Sequence, residues 1–233
     1  SFKMNHITST DGKVFQDMRG EAKNNPTADG YIEIPMRIRS LSSNVPIYLS
    51  KNSGLSSDAK TWISDADFTN SKGKEVSAGQ SLNYFIANAA RFSVSSLAGE
   101  NETVKLVYEL PENAYGSETN VEYGNKVLNQ TPQLNGAVHY YNQKNGLNSD
   151  TTNNHENYTG LKYYEAEVAE SITTFVNQDP ILVLSDVAEE DGYYYGIIYV
   201  RIWVEGWDPD CFDALLNSTL KIDLQFTTKK PTA

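Results

Sequence analysis

Residues that commonly carry catalysis are few and scattered in this chain of 233 residues. The three histidines, His6, His139 and His155, stand in polar surroundings, and their separations match no metal-ligand spacing. No glycine-rich phosphate loop and no nucleophile elbow is present, and Cys211 has no partnered histidine. Cys211 therefore indicates a small packed side chain rather than a reactive thiol. The sequence predicts a protein that is not an enzyme and uses no cofactor.

Three carboxylates on one short segment, Asp208, Asp210 and Asp213, could converge oxygen ligands on a calcium ion. The same residue types also suit the start of a helix. Asp208 can cap free amides, Pro209 fits the first helical position, and Asp210 favours the positive end of the helix dipole. We therefore expect no metal, keep the three aspartates as weak calcium candidates, and predict a two-turn helix over residues 207–217.

Tyrosines cluster in residues 193–195 and in the pairs at 140–141 and 163–164. Flat aromatic faces stack well on ligands, so these residues could form a sugar-binding platform. Cross-strand packing would use the same residues. The tyrosines and tryptophans thus leave a secreted carbohydrate-binding or adhesive module as the alternative function.

Charge and composition exclude several classes of partner. Thirty acidic and 19 basic residues give a net charge of -11, which repels nucleic acid and anionic lipid at long range. No apolar run reaches the length of about 18 residues that a membrane helix needs. Asn, Ser and Thr make up 60 residues, as is typical of turns and pleated sheets. We expect no nucleic-acid partner and no membrane insertion. The single cysteine can form no intramolecular disulfide, which fits an exported bacterial protein and a cytosolic protein equally. Of these two, we expect an exported, extracellular or cell-surface protein.

Strict alternation of apolar and polar residues predicts three long strands. In residues 219–227 every second side chain is apolar, as in a half-buried strand. Residues 194–205 carry an aliphatic face and a mixed face, which is typical of a central strand whose second face is partly covered. Residues 31–39 alternate similarly, but Pro35 cannot donate a ladder hydrogen bond. That strand should therefore lie at a sheet edge or carry a bulge.

Shorter strand candidates occupy residues 45–49, 92–95, 103–110 and 181–184. Residues 80–91 have helical spacing and predict a short helix. The stretch from about 111 to 180 contains Asn-Gly turns and few apolar runs, which predicts a long, partly stranded insertion. Together these patterns predict an all-β fold, an antiparallel β-sandwich with short helices. Residues 21–233 would form one domain, preceded by a separate segment at 1–20.

The N-terminal segment contains a short apolar pattern at Phe2, Met4 and Ile7, followed by a turn at residues 9–12. Such a segment could add itself as a strand to a neighbouring subunit, or it could be the first strand of its own sheet. Because an open sandwich exposes an edge that must be covered, a flexible arm is suited to cover it in trans. We expect Phe2, Met4 and Ile7 to be donor-strand residues at an interface between subunits.

Two stretches resemble exported proteins of Gram-positive Firmicutes. Residues 199–211, YVRIWVEGWDPDC, resemble a C-terminal signature of such proteins, and residues 31–40 with 45–49 look like their early strand pair. The layout is similar to the TasA and camelysin-like group, and the match covers about a quarter of the chain. This resemblance implies a jelly-roll sandwich that assembles into biofilm fibres by donating residues 1 to about 20. Camelysin's nominal protease activity is not carried over, because the chain has no zinc-binding helix with paired histidines.

These observations together predict a structural subunit of an extracellular filament, either a pilus or a biofilm-matrix fibre. In this hypothesis the chain associates with copies of itself into a homopolymer by donor-strand exchange.

Overall fold

The computed structural model describes residues 7–17, 20–70, 74–111, 136–146, 170–208, 210–211 and 213–233. Strands dominate these residues, and their helices are short. The predicted all-β fold class is therefore confirmed. Among the helices in the described part of the chain, none combines the length and the apolar character needed to cross a bilayer.

The strands are Ile7–Ser9 (β1), Phe15–Asp17 (β2), Ala22–Lys23 (β3), Ile32–Ser40 (β4), Pro46–Leu49 (β5), Gly54–Ser57 (β6), Lys60–Ile63 (β7), Phe68–Thr69 (β8), Glu75–Val76 (β9), Ser81–Tyr84 (β10), Ala90–Ala98 (β11), Asn101–Glu109 (β12), Leu182–Val183 (β13), Tyr194–Val204 (β14), Leu220–Asp223 (β15) and Phe226–Thr227 (β16). The helices are Pro26–Asp29 (α1), Ile86–Ala89 (α2) and Gly136–Lys144 (α3), and Asp213–Leu215 forms a 3-10 turn.

The largest sheet has four antiparallel strands in the order β12-β11-β14-β4. β14 lies inside it, paired with β11 on one side and β4 on the other, as its two-faced pattern predicts. Ile198, Val200 and Ile202 of β14 are buried on the inner face. Burying each such aliphatic side chain contributes about 1.5–3 kcal/mol, which makes this strand the centre of the main core.

Smaller sheets supply the other side of that core. β5 pairs with β13 and β16, and β6 pairs with β15. The segment predicted as one strand over residues 219–227 is therefore two strands with different partners. Its alternation still holds, because the four apolar side chains of that segment all pack against the main core: Leu220, Ile222, Leu224 and Phe226.

The edges of the four-stranded sheet differ. β4 ends the sheet on one side, which confirms the edge position that Pro35 predicts. On the other side, the end of β12 is covered by Ile172. The Ile172 N–H donates to the Val107 carbonyl at 2.8 Å, and the Glu109 N–H donates to the Ile172 carbonyl at 3.1 Å.

Two predicted helices are shorter in the structure, and one observed helix was not predicted. The helix expected within residues 80–91 is a single turn, α2, between two strands. The two-turn helix expected over residues 207–217 is only the 3-10 turn. There the Asp208 carboxylate accepts the Asp210 N–H at 3.0 Å, a local bond that favours a turn over a helix. α3 lies in the region expected to be partly stranded, and Gly146 ends it with a positive φ of 61°.

The first described strands form a small sheet, β1-β2-β3, on the outer face of the large sheet. We call residues 7–23 the N-terminal hairpin. Its Phe15 stacks on Tyr31, with ring centroids 4.2 Å apart, and meets Trp203 of β14 edge-on at 5.2 Å. The predicted turn at residues 9–12 is present, because the Gly12 N–H donates to Ser9 Oγ at 2.8 Å.

Gly12 fixes how closely this turn approaches the sheet. A Cβ atom at this position would lie 2.7 Å from Val107 Cγ2 and 2.8 Å from Ser93 Cβ. Neither neighbour is the end of a flexible side chain, so the turn or the sheet would have to shift. Gly12 also has a positive φ of 77°, which disfavours any side chain.

We expect Gly12→Ala to destabilise the fold by about 1–3 kcal/mol more than Gly99→Ala. Gly99 is the matched control, because it also has a positive φ but has open space around its would-be Cβ atom. The difference between the unfolding free energies of the two variants, measured with denaturant, gives the cost of a side chain where the hairpin turn closely approaches the sheet. Equal losses would show that the hairpin turn does not pack on the sheet in solution.

Candidate functional site

Ile7 is completely buried in its own chain. It packs with Phe15, Tyr31, Val107 and Trp203, and its carbonyl accepts the Gly206 N–H at 2.7 Å. A single parallel bridge thus places Ile7 opposite Glu205, just after the end of β14.

The expectation that Ile7 enters a neighbouring subunit thus disagrees with this conformation, because its hydrophobic and main-chain contacts are all made within its own domain. Phe2 and Met4 lie outside the described residues, and their interface role stays a prediction.

Beneath this junction lies a buried cluster of charges centred on Arg91. Its guanidinium nitrogens lie 3.0 Å from Glu109 Oε2, 3.3 Å from Glu205 Oε2 and 3.5 Å from Asp208 Oδ2. All four side chains are buried. Three carboxylates surround one guanidinium, so the cluster has more negative than positive groups in a place where charge is costly.

Strand register assembles the cluster. Arg91 on β11 stands opposite Glu109 on β12 and opposite Trp203 on β14. The Trp203 indole N–H donates to Glu205 Oε2 at 3.1 Å, and the Trp207 N–H donates to Glu205 Oε1 at 3.3 Å. Glu205 is therefore linked both to Arg91 and to the backbone beside β1. The charge cluster supports the place where the N-terminal hairpin meets the sheet.

Asp208 is the member of the cluster that is least well compensated. Its Oδ1 accepts the Asp210 N–H. Among the described residues, Oδ2 has only the 3.5 Å approach of Arg91, which is too long for a good hydrogen bond. Burial raises the pKa of Asp208 to about 8, although Arg91 acts in the opposite direction. The neighbouring Glu109 and Glu205 carboxylates act in the same direction as burial.

The three calcium candidates do not form one site. Asp208 faces Arg91, whereas Asp213 bonds to Lys144 on helix α3. Asp210 is buried near Asp208. No group of three or more His, Cys, Asp or Glu side chains in the described ranges is arranged to hold a metal ion. The three aspartates are close together in the sequence, but their side chains have different partners.

Asp213 belongs to a second cluster that fastens α3 to the domain. Lys144 Nζ lies 2.9 Å from Asp65 Oδ2 and 3.0 Å from Tyr140 Oη, and the Tyr140 hydroxyl donates to Asp65 Oδ1 at 2.8 Å. The hydrogen bond to Asp213 is the main factor that raises the pKa of Lys144, and burial raises that of Tyr140. Together these groups attach helix α3 to the rest of the domain.

His139 is part of the same helix attachment. Its Nδ1 accepts the Thr69 N–H at 2.6 Å, and burial lowers the pKa of its imidazole. The ring lies beside a cleft of about 390 Å³. The cleft is lined by Asp67, Phe68, Thr69, Glu75, Val76, Ser77, His139 and Gln143. Because Nδ1 already binds the backbone of β8, His139 serves to hold the helix against this strand.

Several of the described aromatic side chains that could form a sugar platform are covered, whereas Tyr163 and Tyr164 lie outside the described residues. Arg37 lies over the Tyr195 ring at 3.6 Å from its centroid, and Arg39 lies over the Tyr193 ring at 4.3 Å. Trp203 and Trp207 are buried. These contacts use the aromatic faces within the protein, as cation–π and core packing interactions. The alternative function as a carbohydrate-binding module gains no support from them.

Cys211 is buried in the second apolar core, with Ile86, Ala214 and Leu215 among its cluster. Burial is the main factor that raises the pKa of its thiol well above the usual range. The protonated thiol packs as a small apolar group, which agrees with the interpretation of its sequence context.

We expect Asp208 to make the free energy of unfolding fall as the pH rises from about 4 to about 8. The carboxyl titrates near pH 3.9 in an unfolded chain, whereas its native pKa is about 8. The folded protein therefore holds this proton more tightly, and loses that stabilisation as the pH passes through the native value. One proton contributes at most about 1.4 kcal/mol per pH unit. Denaturant unfolding at a series of pH values measures the slope.

Asp208→Asn should flatten this slope, because an amide keeps the uncharged state at every pH. Asp186→Asn is the matched control, since Asp186 is an exposed carboxylate in a loop. Identical slopes for wild type and Asp208→Asn would contradict the assignment of the proton to Asp208.

Comparison of the chain with protein-family models, curated proteins and solved structures finds no match. The resemblance of residues 199–211 and 31–40 to the TasA and camelysin-like group accordingly stays a prediction. Conclusions about function rest on the residues and contacts described above.

Proposed function

We propose that this chain is a structural subunit that associates with copies of itself into an extracellular filament. The observation that carries the proposal is the outer edge of β4. This strand is nine residues long and ends the four-stranded sheet, and within the described residues no strand pairs with its outer side. An uncovered edge offers main-chain N–H and C=O groups to a strand from another molecule.

The side chains of β4 give that edge an apolar centre. Ile34 is 40% exposed and stands next to Pro35, which is also exposed. Pro35 has no N–H, so the β4 edge offers one hydrogen-bond donor fewer at this point. The missing donor restricts the register in which an incoming strand can pair with β4. Main-chain bonds would supply affinity, and the contact at Ile34 would help to select the register.

The net charge favours specific over non-specific association between copies of the chain. At -11 the copies repel one another at long range, so random contacts between their surfaces are disfavoured. Association then requires a contact whose local gain exceeds this repulsion. Higher salt screens exposed charges, with a Debye length of about 8 Å at physiological ionic strength. Assembly should therefore strengthen as salt is added.

The composition of the chain is compatible with export. The chain is rich in Asn, Ser and Thr, and its single cysteine is buried, so the fold needs no disulfide in either an oxidising or a reducing compartment. A structural role is also consistent with the clusters around Arg91 and Lys144, whose charged groups bond to one another across elements of the fold. We therefore favour a filament subunit over an enzyme or a glycan-binding module.

We expect the wild-type chain to form elongated assemblies and Ile34→Lys to weaken assembly at least tenfold, because a charge at the centre of an edge strand opposes pairing. A tenfold change corresponds to about 1.4 kcal/mol. Sedimentation velocity over a range of concentrations, followed by negative-stain electron microscopy, measures the effect.

The matched control is Leu216→Lys, which places the same charge at another exposed aliphatic position. It should assemble like the wild type, and both variants should keep the wild-type melting temperature within a few degrees. A wild-type chain that stays monomeric up to its solubility limit would refute the filament function. Normal assembly of Ile34→Lys would exclude the β4 edge as the contact.

A further inference from the structure

We propose that the cleft between the β8–β9 strand pair and helix α3 binds an organic cation, an alkylammonium group carried on an apolar stem. A lysine side chain of another molecule and a free alkylamine share this chemistry. The residues that line the cleft lie on or beside β8, β9 and α3, away from β4. The inference therefore goes beyond the proposed function and does not depend on assembly.

The cleft has the size and the apolar surface that such a ligand needs. Its volume of about 390 Å³ lies within the range of about 300–1,000 Å³ that is usual for small-molecule sites. Phe68 and Val76 supply its apolar part, and both side chains are buried. An alkyl stem can lie against apolar groups while the charged head stays close to water.

Strand register places two carboxylates at this cleft. β8 and β9 are antiparallel, with Thr69 opposite Glu75. Asp67 directly precedes β8, and because side chains alternate along a strand it shares a face with Thr69. Asp67 is therefore diagonal to Glu75, and diagonal neighbours in such a pair are about 7–8 Å apart. That spacing leaves room for one ammonium group between the two carboxylates.

The two carboxylates have no cationic partner within the part of the chain that the structure describes. Neither Asp67 nor Glu75 takes part in an ion pair there. Asp67 Oδ1 accepts the Ala78 N–H at 2.7 Å, which leaves its Oδ2 for a ligand. Ser77 also lines the cleft. Its hydroxyl and the two carboxylates supply three acceptors, which match the three N–H donors of an ammonium group.

The helix side of the cleft is fixed and uncharged at neutral pH. His139 Nδ1 accepts the Thr69 N–H, and its Nε2 lies 3.2 Å from the Gln143 side-chain amide. Burial lowers the pKa of this imidazole, so it does not place a positive charge beside the two carboxylates. The walls are thus held in place before a ligand arrives, which reduces the entropy lost on binding.

The same contacts disfavour a metal ion as the ligand. Both ring nitrogens of His139 lie against groups of the protein, and the cleft then keeps only the two carboxylates as strong ligands. Across the described ranges no three His, Cys, Asp or Glu side chains are arranged to hold a metal ion. Two carboxylates beside apolar side chains suit an organic cation better.

Isothermal titration calorimetry of the full-length chain with 1-aminopentane, at neutral pH and low ionic strength, tests the proposal. We expect saturable binding that is at least tenfold weaker for Asp67→Asn/Glu75→Gln. Asn at position 67 keeps the oxygen that accepts the Ala78 N–H, so this variant should fold. An unchanged melting temperature checks that it does.

The matched control is Glu100→Gln/Asp186→Asn, which removes the same two charges from exposed positions elsewhere. It should bind 1-aminopentane like the wild type. Equal weakening in both double variants would overturn the proposal, because it would show a general attraction of cations to an acidic chain. So would the absence of saturable binding, or binding of calcium chloride in place of the amine.

A competition experiment separates the two sources of the ligand. Displacement of 1-aminopentane by Nα-acetyl-lysine methylamide would support a lysine side chain of another molecule as the occupant. Binding of 1-aminopentane that this lysine derivative does not displace would support a free alkylamine. Ammonium chloride should bind at least tenfold more weakly than 1-aminopentane, because it has no stem to cover Phe68 and Val76. Equal affinity of the two would overturn the role of the apolar part.

Discussion

The fold depends on covering both faces of β14. Its inner face supplies the centre of the main core, while its outer face carries Arg201 and Trp203, which are both buried. Arg201 is neutralised by Glu33, with Nε and Oε2 2.7 Å apart, and by Glu102. Trp203 is covered by Phe15 of the N-terminal hairpin. A buried charge that loses its partner costs about 3–5 kcal/mol, and an uncovered indole leaves a large apolar surface in water. The hairpin is therefore an integral part of its own subunit.

This constraint makes the two ends of the molecule different. Near Glu205, β1 and the charge cluster around Arg91 close the end of the sheet. Near Tyr194, the sheet ends beside a loop that carries four carboxylates, at Asp186, Glu189, Glu190 and Asp191. Because the hairpin covers Trp203, its removal would expose a buried indole on β14.

Local sequence patterns predicted much of the arrangement of strands. Alternation identified β4, β14 and the last two strands, and Pro35 identified the sheet edge. The charge cluster was not predicted, because Arg91, Glu109 and Asp208 come from separate segments that meet only through strand register. The one local signal was a charged residue within an apolar run, as at Arg91. The packing of Ile7 within its own domain was not predicted either, since an apolar pattern does not tell which sheet a strand joins.

Hydrogen exchange at the Gly206 N–H tests the packing of the hairpin most directly, because this N–H donates to the Ile7 carbonyl at 2.7 Å. If the hairpin covers β14 in its own subunit, this amide should be protected about as strongly as the amides within β14. Exchange as fast as in an exposed loop would contradict the packing of the hairpin on the sheet.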